Sequence, residues 1–258
     1  MTPPAGPPLL ALDGGGRATI TLQRPHHLNR LHREDLLALR GHLQRVAAQP
    51  GVRVLVLTGS GRAFCAGFHL GELEESESSA SDDPQLFEHT VDALEALPVP
   101  TIARLNGGVF GGATDLALAC DFRIGVEDMQ LRMPAARLGL HYYPSGLRRY
   151  VSRLGLAAAK RLFLLAETVS ADELLRIGYL DALVPAERLD AEVAEQKDAI
   201  AGLCTKIGYR LCELGQDEAV ALPDDAQLDA LISAVRDAQD KIKELRAETD
   251  DNEPELEA

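Results

Sequence analysis

The sequence predicts an α/β fold, and three observations carry that reading. Short valine-rich apolar runs alternate with segments of helical periodicity. Those runs are apolar at successive rather than alternate positions, as in strands covered on both faces of a parallel sheet. Glycine-rich turns stand where the runs end.

The chain opens as a hairpin, with Leu9 to Leu12 and Thr19 to Leu22 flanking Asp13-Gly14-Gly15-Gly16. Arg24-Pro25 breaks the second strand. A helix follows from Glu34 to Ala48, with Leu36, Leu37, Leu39, Leu43 and Val46 near helical spacing, and Pro50-Gly51 ends it. Val52 to Leu57 reads as a buried strand. The order then repeats: Pro84 to Leu97 is helical, Thr101 to Ala103 starts a strand, Ala113 to Ala119 is helical, and Asp121 to Val126 is a third buried strand. The acidic, serine-rich stretch from Glu72 to Asp83 reads as a mobile surface loop. Beyond residue 150 strands thin out. Ser170 and Glu173 have the spacing of a capping box for a helix through Ile177, which Gly178 stops. From Glu187 onward the pattern is helical. Leu228, Leu231, Val235, Ala238, Ile242 and Leu245 form a narrow seam suited to packing on the same domain or to a subunit contact. The acidic end, Glu248 to Ala258, reads as disordered.

At 258 residues the chain allows one large domain, with or without a small appendage, and a core that needs no metal or disulfide staple. No run of eighteen apolar residues is present, and Met1 to Pro8 lacks the features of a secretory signal. Cys65, Cys120, Cys204 and Cys212 are scattered without metal-ligand spacing, which suits reduced thiols in a cytoplasmic protein. A net charge of −14 argues against nucleic acid as partner, and the low aromatic content of 4% argues against a base-stacking surface. No lysine precedes Lys160, so any anion-binding group in the first half is arginine, histidine or backbone N–H.

Two glycine-rich turns mark the candidate site. One is Gly61-Arg62-Ala63-Phe64-Cys65-Ala66-Gly67-Phe68-His69-Leu70. The other is Asn106-Gly107-Gly108-Val109-Phe110-Gly111-Gly112-Ala113-Thr114-Asp115-Leu116. Each stands at the C-terminal end of a strand, where open α/β sheets build their sites, and the second runs into a helix. Two such turns can each offer one N–H to a single oxygen. Either turn alone fits tight strand–helix packing equally well.

Together these segments resemble the crotonase (enoyl-CoA hydratase/isomerase) superfamily. The resemblance runs through Arg24-Pro25, Leu28-Asn29, Val52 to Gly59, Gly61 to Leu70, Pro98 to Asn106, Gly111-Gly112 with Leu116 to Ile124, Pro134, Leu138-Gly139 and Ala171 to Pro185. It implies a crotonase-like spiral of ββα units over residues 1–190 and a C-terminal α-helical region, with the acidic tail, over 191–258. It implies an acyl-CoA thioester as substrate, with coenzyme A entering as part of that substrate, no separate cofactor and no metal. It also implies a homotrimer or homohexamer. The backbone N–H groups of Phe68 and Gly112 would form the oxyanion hole. Leu28, Asn29, Arg30, Ala66, Gly67 and Gly111 would lie along the adenine and pantetheine.

The chain departs from the family hydratases at both catalytic glutamates. Asp115 stands at the first, a carboxylate one methylene shorter, and Ala135 at the second, where no proton can be moved. Tyr142, three places after Gly139, and the run Val109 to Ala113 resemble the methylmalonyl-CoA decarboxylase branch, although Phe68 stands where that branch has histidine. His69, His141 and Tyr142 are candidate proton donors. The resemblance thus leads to an enoyl-CoA hydratase/isomerase-like enzyme with an incomplete hydratase pair. A decarboxylase-like enzyme and a non-catalytic acyl-CoA-binding protein are the alternatives.

Overall fold

The computed structural model describes residues 5–69, 71, 83 and 85–214. β1 (Gly6–Leu12) and β2 (Arg17–Gln23) form the expected antiparallel hairpin. Asp13 closes it by accepting the N–H groups of Gly15 at 2.9 Å and Arg17 at 3.0 Å. Helix α1 (Arg33–Ala48) buries Leu36, Leu39, Leu43 and Val46, the 3-4-3 face, and leaves Leu37 exposed. It leads to β3 (Val54–Gly59), all six residues of which are buried and which lies parallel to β2.

Three ββα rounds follow. β3 and β4 (Ala63–Cys65) precede α2 (Leu86–Glu95). β5 (Thr101–Leu105) and β6 (Gly108–Phe110) precede α3 (Ala113–Ala119). β7 (Phe122–Val126) and β8 (Gln130–Arg132) precede α4 (Pro144–Lys160). The first strand of each round joins a six-stranded sheet in the order β1-β2-β3-β5-β7-β10. The second joins a four-stranded sheet in the order β4-β6-β8-β9. Each round therefore adds one parallel neighbour to both sheets, and the chain advances as a spiral. β9 (Val169–Ser170) closes the small sheet antiparallel to β8, and β10 (Ala182–Val184) closes the large one parallel to β7.

Helix α4 is interrupted at Gly155, whose φ of +78° is left-handed, and a π-helical turn, Arg161–Leu165, continues it. The long helix α6 (Leu189–Leu214) bears out the helical reading from Glu187 as far as Leu214. The fold divides into a unit of residues Met1–Lys197 and a unit of Asp198–Ala258. The loop expected at Glu72 to Asp83, the seam from Leu228 to Leu245 and the tail from Glu248 fall, apart from Asp83, outside the described residues. Among the described residues no helix is long and apolar enough to cross a membrane.

One local expectation is corrected. Ser170 does precede helix α5 (Ala171–Arg176), but its hydroxyl caps no backbone N–H. Glu173 is engaged elsewhere, accepting both ends of the Arg176 fork at 2.6 Å as well as a bond from Arg161. Two charge-assisted partners outcompete one backbone N–H.

Arg176, with Arg161 behind it, holds the Glu173 carboxyl down to about 2 against an ordinary value of 4.5. The unfolded chain therefore takes up this proton first. The stabilisation is present above 4.5 and is lost as pH falls from there towards 2. Glu173→Gln is expected to flatten that part of the acid limb when the urea midpoint is followed against pH; an unchanged slope would contradict the pairing.

Candidate active site

The two glycine turns meet because β4 and β6 are parallel neighbours, with Ala63 opposite Gly108 and Cys65 opposite Val109. Their C-terminal ends emerge side by side. Gly67 has a φ of +89°, and a Cβ there would lie 2.7 Å from the carbonyl oxygen of Phe110 and 3.0 Å from the nitrogen of Gly112. Only glycine lets the turns approach so closely. Three backbone bonds sew residues 28–31 onto the first turn: Ala66 N–H to Leu28 O at 2.8 Å, Leu31 N–H to Gly67 O at 2.8 Å, and His69 N–H to Leu31 O at 2.9 Å. Among the described residues, neither the Phe68 N–H nor the Gly112 N–H donates to an acceptor. Gly112 stands directly before α3, so its N–H belongs to the orphan donors of a helix start.

Two asparagines hold this corner. The Asn29 amide donates to the carbonyls of Ser60 at 2.8 Å, Ala63 at 2.9 Å and Phe64 at 3.1 Å, and its oxygen accepts the Arg24 N–H at 2.9 Å. Asn106 accepts the Gly59 N–H at 3.1 Å and donates to Gly61 O at 2.8 Å. Asn29 was expected beside the coenzyme. Its side chain is buried and engaged with the backbone of residues 60–64, and so shapes the first turn. Leu28, Arg30, Ala66 and Gly111 are half-buried along the seam between the turns.

Asp115 stands in the first turn of α3 and is fully buried. Its Oδ2 accepts the Arg149 guanidinium at 2.7 Å and the Tyr143 hydroxyl. Its Oδ1 is buried without a partner among the described residues. Burial pushes the Asp115 carboxyl above its ordinary range, and Arg149, Tyr143 and Tyr142 pull against that without overcoming it. Burial also opposes the Arg149 charge, but Glu95 and Asp115 more than offset it and the guanidinium is raised. Arg149 reaches further, to Asp92 at 2.7 Å and Glu95 at 2.9 Å.

The tyrosine on the acid is therefore Tyr143, not Tyr142. The Tyr142 ring stacks on Tyr143 at 4.4 Å, and the two hydroxyls stand 3.4 Å apart. Burial, and then the Asp115 charge, raise both phenols well above their ordinary value. The stack continues through Phe163 and Tyr150 on one side and through Phe87 to Phe68 on the other. The histidines do not join it. His141 is exposed, and His69 stacks on His32 with centroids 4.9 Å apart. Among the described residues no hydrogen bond or ring contact links either histidine to Asp115 or the tyrosines. Ala135 is buried in a short 3₁₀ turn, Ala135–Leu138.

Sequence reasoning missed Arg149, Tyr143 and Phe87. Arg149 had a signal, since Arg149 and Arg153 lie four apart on α4 and meet Asp92 and Glu95, three apart on α2. Phe87 had none, because its role depends on where α2 lands.

Comparison with known proteins matches the family described as enoyl-CoA hydratase/isomerase over residues 14–208. The crotonyl-CoA hydratase of Syntrophomonas wolfei is 33% identical over 178 residues, covering 68% of each chain. Among solved structures, a monofunctional enoyl CoA isomerase from M. smegmatis superposes with a TM-score of 0.64 at 30% identity, over 76% of this chain and 85% of that one. An enoyl-CoA hydratase from Bacillus anthracis gives 0.71 at 27% identity, over 96% and 98%.

The Asp115–Arg149 pair makes a test of the cluster. Arg149→Met leaves a buried carboxylate unpaired and is expected to lower stability by about 3–5 kcal/mol. Adding Asp115→Asn removes the stranded charge and should restore part of that loss. Additive effects in the urea midpoints of the single and double variants would disprove the coupling.

Proposed function

The chain belongs to the enoyl-CoA hydratase/isomerase family, and on that basis we propose that it is an acyl-CoA enzyme that stabilises a thioester enolate. The observation that carries this reading is the pair of uncommitted N–H groups, Phe68 and Gly112, on two turns packed against each other through Gly67. A thioester oxygen accepting from both would gain charge as the α-carbon loses a proton to a base or loses carbon dioxide from a carboxylate substituent. Donors fixed in advance favour that charged state over the neutral thioester. Coenzyme A comes with the substrate.

Hydration fits the site poorly. Adding water across a double bond needs one group to take a proton from water and one to give a proton to carbon. Ala135 supplies neither, and Asp115 is engaged by Arg149 and Tyr143. Isomerisation or decarboxylation asks less of the site: both pass through the enolate, isomerisation with one group that takes a proton from the α-carbon and returns it to the γ-carbon, decarboxylation with carbon dioxide leaving and one donor protonating the α-carbon. Tyr143 and Tyr142 carry the nearest hydroxyls to Asp115. The same engagement of Asp115 favours a second reading, an acyl-CoA-binding protein without turnover. The family also carries the proposal of a cytoplasmic homotrimer or homohexamer, for which light scattering should return three or six times 27.8 kDa.

The carbonyl stretch of a bound thioester tests the central claim. It is expected to fall to lower frequency on binding. Against Gly112→Ala, which puts the same Cβ against Phe87 but keeps the N–H, the shift is expected to be lost in Gly112→Pro, which keeps the φ of −58° and removes the N–H. Any turnover should drop by about 10²–10³-fold in that variant. Crotonyl-CoA should be hydrated weakly at most, and methylmalonyl-CoA followed by mass distinguishes decarboxylation from binding alone. An unshifted carbonyl in the bound state would sink the reading, and efficient hydration would sink the argument from Ala135.

A further inference from the structure

We propose that Phe87 limits the depth of the acyl site, so that it suits short-chain thioesters and chains longer than butyryl gain little affinity from their added methylenes; this rests on the acyl-CoA reading above. A Cβ placed on Gly112 would lie 2.6, 3.1 and 3.2 Å from the Cζ, Cε1 and Cε2 atoms of Phe87. The far edge of that ring is therefore seated on the Cα of Gly112, one bond from the N–H offered to the thioester oxygen. The bare glycine leaves space there, and the phenyl ring fills it.

The ring is not loosely placed. Phe68 and Tyr143 flank it, each with its centroid 6.0 Å away, and Tyr142 backs Tyr143 at 4.4 Å. These side chains belong to one cluster holding six of the eleven aromatic residues in the chain, in a protein with no tryptophan. Helix α2, which carries Phe87, is anchored along its length. Leu86, Thr90, Val91 and Leu94 are buried, Ser145 donates to Glu88 at 3.1 Å, and Asp92 and Glu95 are held by Arg149. Swinging the ring away with its helix would break the Arg149 contacts and expose that apolar face. An acyl chain growing from a thioester on Gly112 meets aromatic carbon on this side after a few atoms. A small acyl group packs against the ring edge, whereas a long one has to displace it.

Saturated thioesters test this without chemistry. In an open apolar channel each added methylene tightens binding roughly fourfold, so octanoyl-CoA should outbind butyryl-CoA by roughly 200-fold. Calorimetry on the full chain is expected to give a ratio below about tenfold. Phe87→Ala, and Phe87→Leu as the milder change, should raise that ratio at least about fivefold. A ratio of tenfold or more in the unaltered protein, or one that neither substitution raises, overturns the role of Phe87 and leaves the acyl-CoA reading standing. Failure of all three proteins to bind either thioester overturns both.

Discussion

Arg149 is buried, and its two Nη groups face carboxylates from two different helices, Asp115 on α3 and the pair Asp92 and Glu95 on α2. A lone guanidinium in that place would be costly, as would a lone Asp115; each is tolerable because the other is there. One arginine thereby fixes the mutual placement of α2, α3 and α4. Arg153, one turn further along α4, repeats the contact to Glu95 at 3.2 Å and donates to carbonyls at the C-terminal end of α3. The placement of Phe87 over Gly112 and of Tyr143 on Asp115 follows from this junction.

The other constraint is backbone approach. Parallel pairing of β4 with β6 brings two turns to one edge, but pairing alone would leave them a side chain apart. Gly67 removes that side chain, and the Asn29 and Asn106 amides supply the hydrogen bonds that the irregular backbone of residues 59–64 cannot make to itself. The N–H groups of Phe68 and Gly112 are left over from this arrangement. The Leu31 pairing runs through Gly67 and His69 and does not use the Phe68 N–H, and the Gly112 N–H stands at a helix start.

Much of this was legible in the residues themselves. The hairpin, α1, the buried strands and α3 follow from turn chemistry and apolar periodicity, and the structure departs from those readings by only a few residues at most ends. Asp115 was correctly placed at the start of a helix after Gly112. The motif position of Asn29 says that the residue matters, whereas the structure shows its amide bonded to the backbone of residues 60–64. Tyr142 and Tyr143 are adjacent in sequence, and only the chain's entry into α4 at Pro144 decides which hydroxyl reaches Asp115. The capping box is incomplete on the Glu173 side because two arginines, one of them twelve residues away, hold its carboxylate.

The α/β spiral, the two glycine turns and the alanine at position 135 are written in the sequence. These depend on local periodicity, on φ angles that glycine alone adopts freely, and on residue identity. Tertiary structure alone decided that Asp115 pairs with Arg149, that Tyr143 is its hydroxyl partner, and that Phe87 occupies the space over Gly112. Those contacts join residues 25 to 34 positions apart, and their partners are chosen by how helices dock rather than by anything written in the intervening chain.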